Sequence, residues 1–110
     1  MMAKTIDISS KLTNERPRLK LAEGIEFEID NRKNTILILN QKIQETDLND
    51  LREVDGILEL LLGKEAVQKI GEMDISFADY QTIFIACMAG AMGEDFEVVE
   101  ARFRRAREEI

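Results

Sequence analysis

Histidine and tryptophan are absent from this chain, and cysteine, proline and tyrosine occur once each. Without histidine, a Ser–His–Asp triad, a thiol–imidazole pair and a Cys–His zinc site all lack their parts. A lone cysteine permits no internal disulfide and, with no export signal, points to a reducing cytoplasm. Long apolar runs are missing too. The longest, Ile83 to Met92, is ten residues with Gly90 included, against the ~20 that a membrane-spanning helix needs. The opening Met1-Met2-Ala3-Lys4-Thr5-Ile6-Asp7 has no apolar core of signal-peptide length.

What remains is a chain of 110 residues, 45% apolar and 34% charged. That balance excludes disorder and a membrane-embedded fold, and the length suits one domain, 1–110. Fifteen Lys and Arg stand against 22 Asp and Glu, a net charge of −7, which argues against nucleic acid as a partner. The charge is uneven. Residues 47–75 hold three bases and eight acids, and residues 76–101 hold five acids and no base. Arg102, Arg104, Arg105 and Arg107 then form a basic patch.

Residues 1–30 read as β-rich. Thr5–Ile8 is a short β-prone piece, and a polar stretch from Ser9 to Arg16 follows, ending at Pro17. Leu19-Lys20-Leu21 and Ile25-Glu26-Phe27-Glu28-Ile29 alternate apolar with charged residues, the period of a half-buried strand. Ala22-Glu23-Gly24 between them supplies a turn. The resulting hairpin would be marginal alone, so its apolar face must rest on the helices downstream.

Residues 31–110 read as helical. Asp30 or Asn31 is a candidate cap for a helix carrying Ile36, Leu39, Asn40 and Ile43. Thr35-Ile36-Leu37-Ile38-Leu39 also fits a buried third strand, although Gln41-Lys42-Ile43-Gln44-Glu45 favours helix. From Asp47, apolar residues Leu48, Leu51, Val54, Leu58 and Leu61 recur at three- and four-residue steps. Gly56 inside this run allows a close helix contact or marks a bend, and Gly63 and Gly71 read as helix breaks. Ser76 opens the next helix, with Asp79 in its first turn. Phe77, Tyr80, Phe84, Cys87, Met88 and Ala91 stripe that helix, and its sides are apolar too, so it is expected at the centre of the core. Past Gly93, the last helix spaces Phe96, Val99, Phe103, Ala106 and Ile110 at 3-4-3-4. The expected architecture is α+β, mostly α: a short N-terminal β-hairpin packed on a bundle of four or five helices.

No motif supplies chemistry. Setting Gly56 at position six of a calcium loop puts Leu51 and Leu62 where carboxylates are needed. Gly63-Lys64 lacks the upstream glycine and downstream hydroxyl of a phosphate loop, having Leu58 and Glu65 instead. Gly90-x-x-Gly93 follows no strand. The acids fall on predicted solvent faces, where carboxylates titrate normally, and Cys87 reads as a small core residue. The chain is therefore expected to be no enzyme and to need no cofactor or metal. The C-terminal arginines read as compensation of the helix dipole, paired with Glu97, Glu100, Glu108 and Glu109.

The layout has a counterpart. A short strand and the hairpin Leu19-Lys20-Leu21-Ala22-Glu23-Gly24-Ile25-Glu26-Phe27-Glu28-Ile29 lead into Asn31-Arg32-Lys33-Asn34-Thr35. Leu60-Leu61-Leu62-Gly63-Lys64-Glu65-Ala66 follows, with a closing Gly93-Glu94-Asp95-Phe96-Glu97-Val98-Val99-Glu100-Ala101-Arg102-Phe103. This resembles the small tail assembly chaperones of long-tailed phages and prophages of Gram-positive bacteria. The resemblance spans nearly the whole chain and includes no catalytic or ligand motif. It implies a non-enzymatic protein of the bacterial host cytoplasm, not expected in the mature virion. Such a protein binds the tape measure protein and helps recruit tail tube subunits. Rival classes are a generic prophage interaction module and a structural tail or head–tail component.

The last helix supplies the candidate partner-binding residues: Phe96, Val99, Arg102, Phe103, Arg105, Ala106 and Ile110. Such a stripe either packs inward or offers anchors to another helix. Aromatic and arginine side chains together favour the second use, and self-association through the same surface predicts a homo-oligomer.

Overall fold

A computed structural model describes residues 3–108, with side chains through residue 105. It contains one two-stranded antiparallel sheet and five helices. Strands β1 (Arg18–Ala22) and β2 (Ile25–Glu28) form the expected hairpin. Leu19 lies opposite Phe27 and Arg18 opposite Glu28, with a bulge between Lys20 and Ala22. Exposure alternates along both strands, so Leu19, Leu21, Ile25 and Phe27 are the less exposed set, and Leu19, Leu21 and Phe27 pack against the core. The outer face holds exposed ion pairs, including Arg16–Glu28 at 3.3 Å and Lys20–Glu23 at 2.8 Å, which contribute little to stability.

The helices are α1 (Lys33–Glu45), α2 (Leu51–Leu62), α3 (Lys64–Glu72), α4 (Phe77–Met92) and α5 (Phe96–Glu108). Residues 33–45 are thus helix and not a third strand. Helix α4 is apolar on nearly every side and buries seven residues, including Phe84, Cys87 and Met88. It packs on α2, on α5 and on β1, while α1 and α3 lie against α2. The core is one cluster around Leu39, Val54, Ile57, Leu58, Leu61, Phe84 and Cys87.

Gly90 decides how the hairpin meets α4. Ile29, buried just past the end of β2, places its Cδ1 only 2.7 Å from where a Cβ at position 90 would stand. Pro17, entering β1, flanks the same spot at 3.7 Å. The Ile29 N–H donates to the Pro17 carbonyl at 2.9 Å, extending the ladder by one residue into this contact.

Asp30 fastens the next junction. Its backbone N–H donates to the Leu61 carbonyl at the end of α2, at 2.9 Å. Its carboxylate accepts from the Arg32 N–H and guanidinium, and from the hydroxyl of buried Thr35 at 2.9 Å. The Arg32 hydrogen bonds hold the Asp30 carboxyl well below the usual carboxylate range. Asp30, with Asp7 and Glu94, whose carboxyls are likewise lowered by hydrogen bonds, departs from the expectation that the acids titrate normally.

Several expected boundaries are corrected. Thr5–Ile8 is not a strand; it has no regular secondary structure and leads into a single 3-10 turn, Ser9–Lys11. Neither Asp30 nor Asn31 is the N-cap of α1; Arg32 occupies that position, and Asp30 acts on it from two residues upstream. Helix α2 starts at Leu51, four residues later than the Asp47 start, because the Asp50 carboxylate accepts from the Arg52 N–H and closes the N-terminus there. Gly56 has nothing within 4 Å of a Cβ position, so no close helix contact explains it. Gly71 lies within α3, which runs to Glu72. Ser76 does cap α4, its hydroxyl accepting from the Asp79 N–H at 3.1 Å. Phe77, expected at the core centre, is 50% exposed at the first turn of α4, and Tyr80 is half-buried.

Two predictions follow from these contacts. Gly90→Val should lower stability by about 1–3 kcal/mol through overpacking. Ile29→Val, which removes the opposing Cδ1, should recover part of that loss in the double variant, as read by urea unfolding. Asp30 has a folded pKa below its unfolded value, so its contribution is present above about pH 4 and is lost as pH falls further. Asp30→Asn should unfold at lower urea at pH 7, and its stability should fall less than the parent's between pH 5 and pH 2.

Candidate functional site: an apolar groove between α1, α4 and α5

Helix α4 ends at Gly93, which adopts the left-handed conformation at φ 66°. The Glu94 N–H donates to the Ala89 carbonyl at 3.0 Å and the Gly93 N–H to the Gly90 carbonyl at 3.4 Å. This pair of bonds is the Schellman arrangement, which glycine adopts without a Cβ penalty. The Asp95 carbonyl then accepts from the Val98 and Val99 N–H groups and α5 begins. The reversal folds α5 back along α4.

A groove of about 380 Å³ opens beside this pair. Phe84, Met88 and Met92, at four-residue spacing on α4, form its floor. Val99, Arg102 and Phe103 of α5 make one wall, and Ile43 and Gln44 of α1 with Leu48 make the other. The Phe84 and Phe103 rings meet with centroids 5.5 Å apart and planes tilted by 55°, a favourable aromatic geometry. At the lip, the Arg102 guanidinium donates twice to Glu94, at 2.7 and 3.1 Å. Those bonds lower the Glu94 pKa and raise that of Arg102. The groove is thus apolar at depth and edged by an oriented arginine and two side-chain amides, Asn40 and Gln44.

The expected site residues divide across this geometry. Val99 is buried at 5% exposure, so it belongs to the core and is no free anchor. Phe96 and Phe103 are half-buried against the core. Arg102 and Arg105 are exposed. Val99, Arg102 and Phe103 line the groove, while Phe96 and Arg105 do not. The side chain of Ala106 and all of Ile110 lie outside the described residues. Arg104 pairs with Glu100 at 3.6 Å as expected, but Arg102 reaches back to Glu94. Met88 and Met92 and the α1 wall were not in the candidate set. The methionines were visible at four-residue spacing, whereas the approach of α1 is tertiary and has no local signature.

A second cleft, of about 340 Å³, lies where α2, α3 and the start of α4 converge. Leu58, Val67, Ile70 and Ile75 line it, with Asp55 and Asp74 as its charged residues. The Tyr80 hydroxyl donates to the Asp55 carboxylate, and burial together with that bond raises the phenol pKa. Asp74 closes α3 in the left-handed region at φ 53°.

No group of three or more Cys, Asp or Glu side chains placed to hold a metal ion occurs among the described residues. No helix among them is long and apolar enough to cross a membrane. No family model, curated protein or solved structure matches the chain.

Cys87 sits at 0% exposure in the core, as expected, and burial pushes its thiol pKa up to about 12. A thiol-specific aromatic disulfide reagent at pH 8 should find no reactive group in the native protein and one equivalent after unfolding in guanidinium.

Proposed function

We propose that this protein is a non-enzymatic tail assembly chaperone of a phage or prophage, which holds the tape measure protein while the tail is built. The observation that supports the reading best is the α1–α4–α5 groove. It has the form that receives the apolar face of an amphipathic helix, and a tape measure protein is a long helical client. Met88 and Met92 on its floor are unbranched and adaptable, which suits a surface that must hold segments of a long helical client. Arg102, held by Glu94, stands where it can meet polar groups on the client's flank. In this reading the protein acts in the bacterial host cytoplasm as a homo-oligomer. It brings tail tube subunits to the loaded tape measure and departs before the virion is complete. Nucleic acid, membrane and cofactor have no part in it.

Co-expression with tape measure fragments encoded by the same genome tests the proposal. The parent should co-purify with a fragment. Met92→Glu, at the half-buried end of the floor, should lower capture at least tenfold while the far-UV circular dichroism and melting curve stay close to the parent's. Undiminished capture would remove the groove from the account. Mass spectrometry of purified virions separates the classes, since a structural tail component would be found there in stoichiometric amount.

A further inference from the structure

We propose that copies of this chain assemble by exchanging N-terminal arms, residues 4–12 of one copy lying in the acidic apolar cleft between α2, α3 and α4 of another. The arm stands off the body. Ile6, Ile8 and Leu12 are 77%, 49% and 70% exposed, and from residue 3 to residue 8 the chain joins no strand. The arm's backbone hydrogen bonds are local, from the Lys11 N–H to the Ile8 carbonyl and from the Ser9 N–H to the Asp7 carboxylate. The radius of gyration is 16.5 Å, against about 13 Å for a compact chain of this length. The longest dimension is 63 Å, more than twice the length of about 24 Å of the longest helix, α4. Single exposed apolar side chains are ordinary on any surface; three within seven residues of projecting chain are not.

Shape and charge both match the arm to the second cleft. Drawn out along the cleft of another copy, the segment from Lys4 to Ile8 would turn Lys4, Ile6 and Ile8 to one side. The cleft offers an apolar floor of Leu58, Val67, Ile70 and Ile75, with carboxylates at Asp55 and Asp74 and no base in its lining among the described residues. Asp55 is engaged by Tyr80, which leaves Asp74 for Lys4. Asp7, the arm's own acid, is turned back on itself and accepts from the Ser9 N–H and hydroxyl. Residues 3–16 hold three bases against two acids, while the remaining chain holds twelve against twenty, so a cationic arm meets an anionic body. Each copy supplies one arm and one cleft, and the contact propagates until a ring or a reciprocal pair closes.

The inference takes from the proposed function only that the protein is an oligomer. Light scattering on the full chain should give a mass above that of the monomer. Ile6→Asp with Ile8→Asp should give a monomer with an unchanged melting curve, since neither residue touches the core. Lys4→Glu should raise the dissociation concentration at least tenfold, and Asp74→Lys in the same chain should restore it. Mixing separate Ile8→Cys and Gly71→Cys proteins should yield a disulfide between chains, because Gly71 edges the cleft with open space at its Cβ and native Cys87 is buried. A monomeric parent, a mass indifferent to the arm variants, or a disulfide that forms only within an Ile8→Cys, Gly71→Cys double variant would each overturn the proposal. Client capture by a monomer would leave the chaperone reading standing without it.

Discussion

The hairpin can lie on α4 because position 90 carries no side chain. Ile29 occupies the space that a Cβ would take, and Pro17 closes over it, so both ends of the hairpin converge on one turn of one helix. From that contact the chain runs through Asp30, whose N–H reaches the end of α2 and whose carboxylate orders the start of α1. The sheet, the central helix and both flanking helices are thereby referred to a single point. A two-stranded hairpin has little stability of its own; this one is stable as a cover for α4.

Local patterning made much of this legible. Alternation of Leu19, Leu21, Ile25 and Phe27 with charged residues announces the hairpin, and Ser76 with Asp79 marks the start of α4 correctly. The misreadings share a cause, which is that periodicity does not locate an element's end. Leu48 continues the apolar spacing of α2 yet precedes it, because Asp50 claims the first-turn N–H groups. Phe77 continues the stripe of α4 but occupies its first turn, where the core has already ended. Thr5–Ile8 has β-prone residues and no partner strand within reach. Gly90 was visible in the sequence among apolar residues, but only the approach of Ile29 gives it a purpose. The groove was half legible. Its α5 wall and methionine floor follow from four-residue spacing, whereas the α1 wall depends on packing through α2.

Charge organises the surface around these clefts. Two of the arginines of α5 are engaged by glutamates of the same region, Arg102 by Glu94 and Arg104 by Glu100. The excess of acid is left to the α2–α3–α4 side, beside the cleft that Asp55 and Asp74 edge. The two clefts consequently differ in kind: one is apolar with a fixed arginine at its lip, the other apolar with carboxylates. A single small chain thereby presents two distinguishable surfaces.

The seating of Ile29 against Gly90 also has a schedule. About sixty residues separate the two positions, and at ribosomal rates of roughly 5–20 residues per second several seconds pass between their synthesis. Throughout that interval the apolar face of Leu19, Leu21, Ile25 and Phe27 has no helix to lie on. Helices α1 to α3 emerge meanwhile and collapse through contacts close in sequence, which form quickly. Completion of α4 is thus the event that gives the hairpin a helix to lie on, so an element made early in synthesis is seated late.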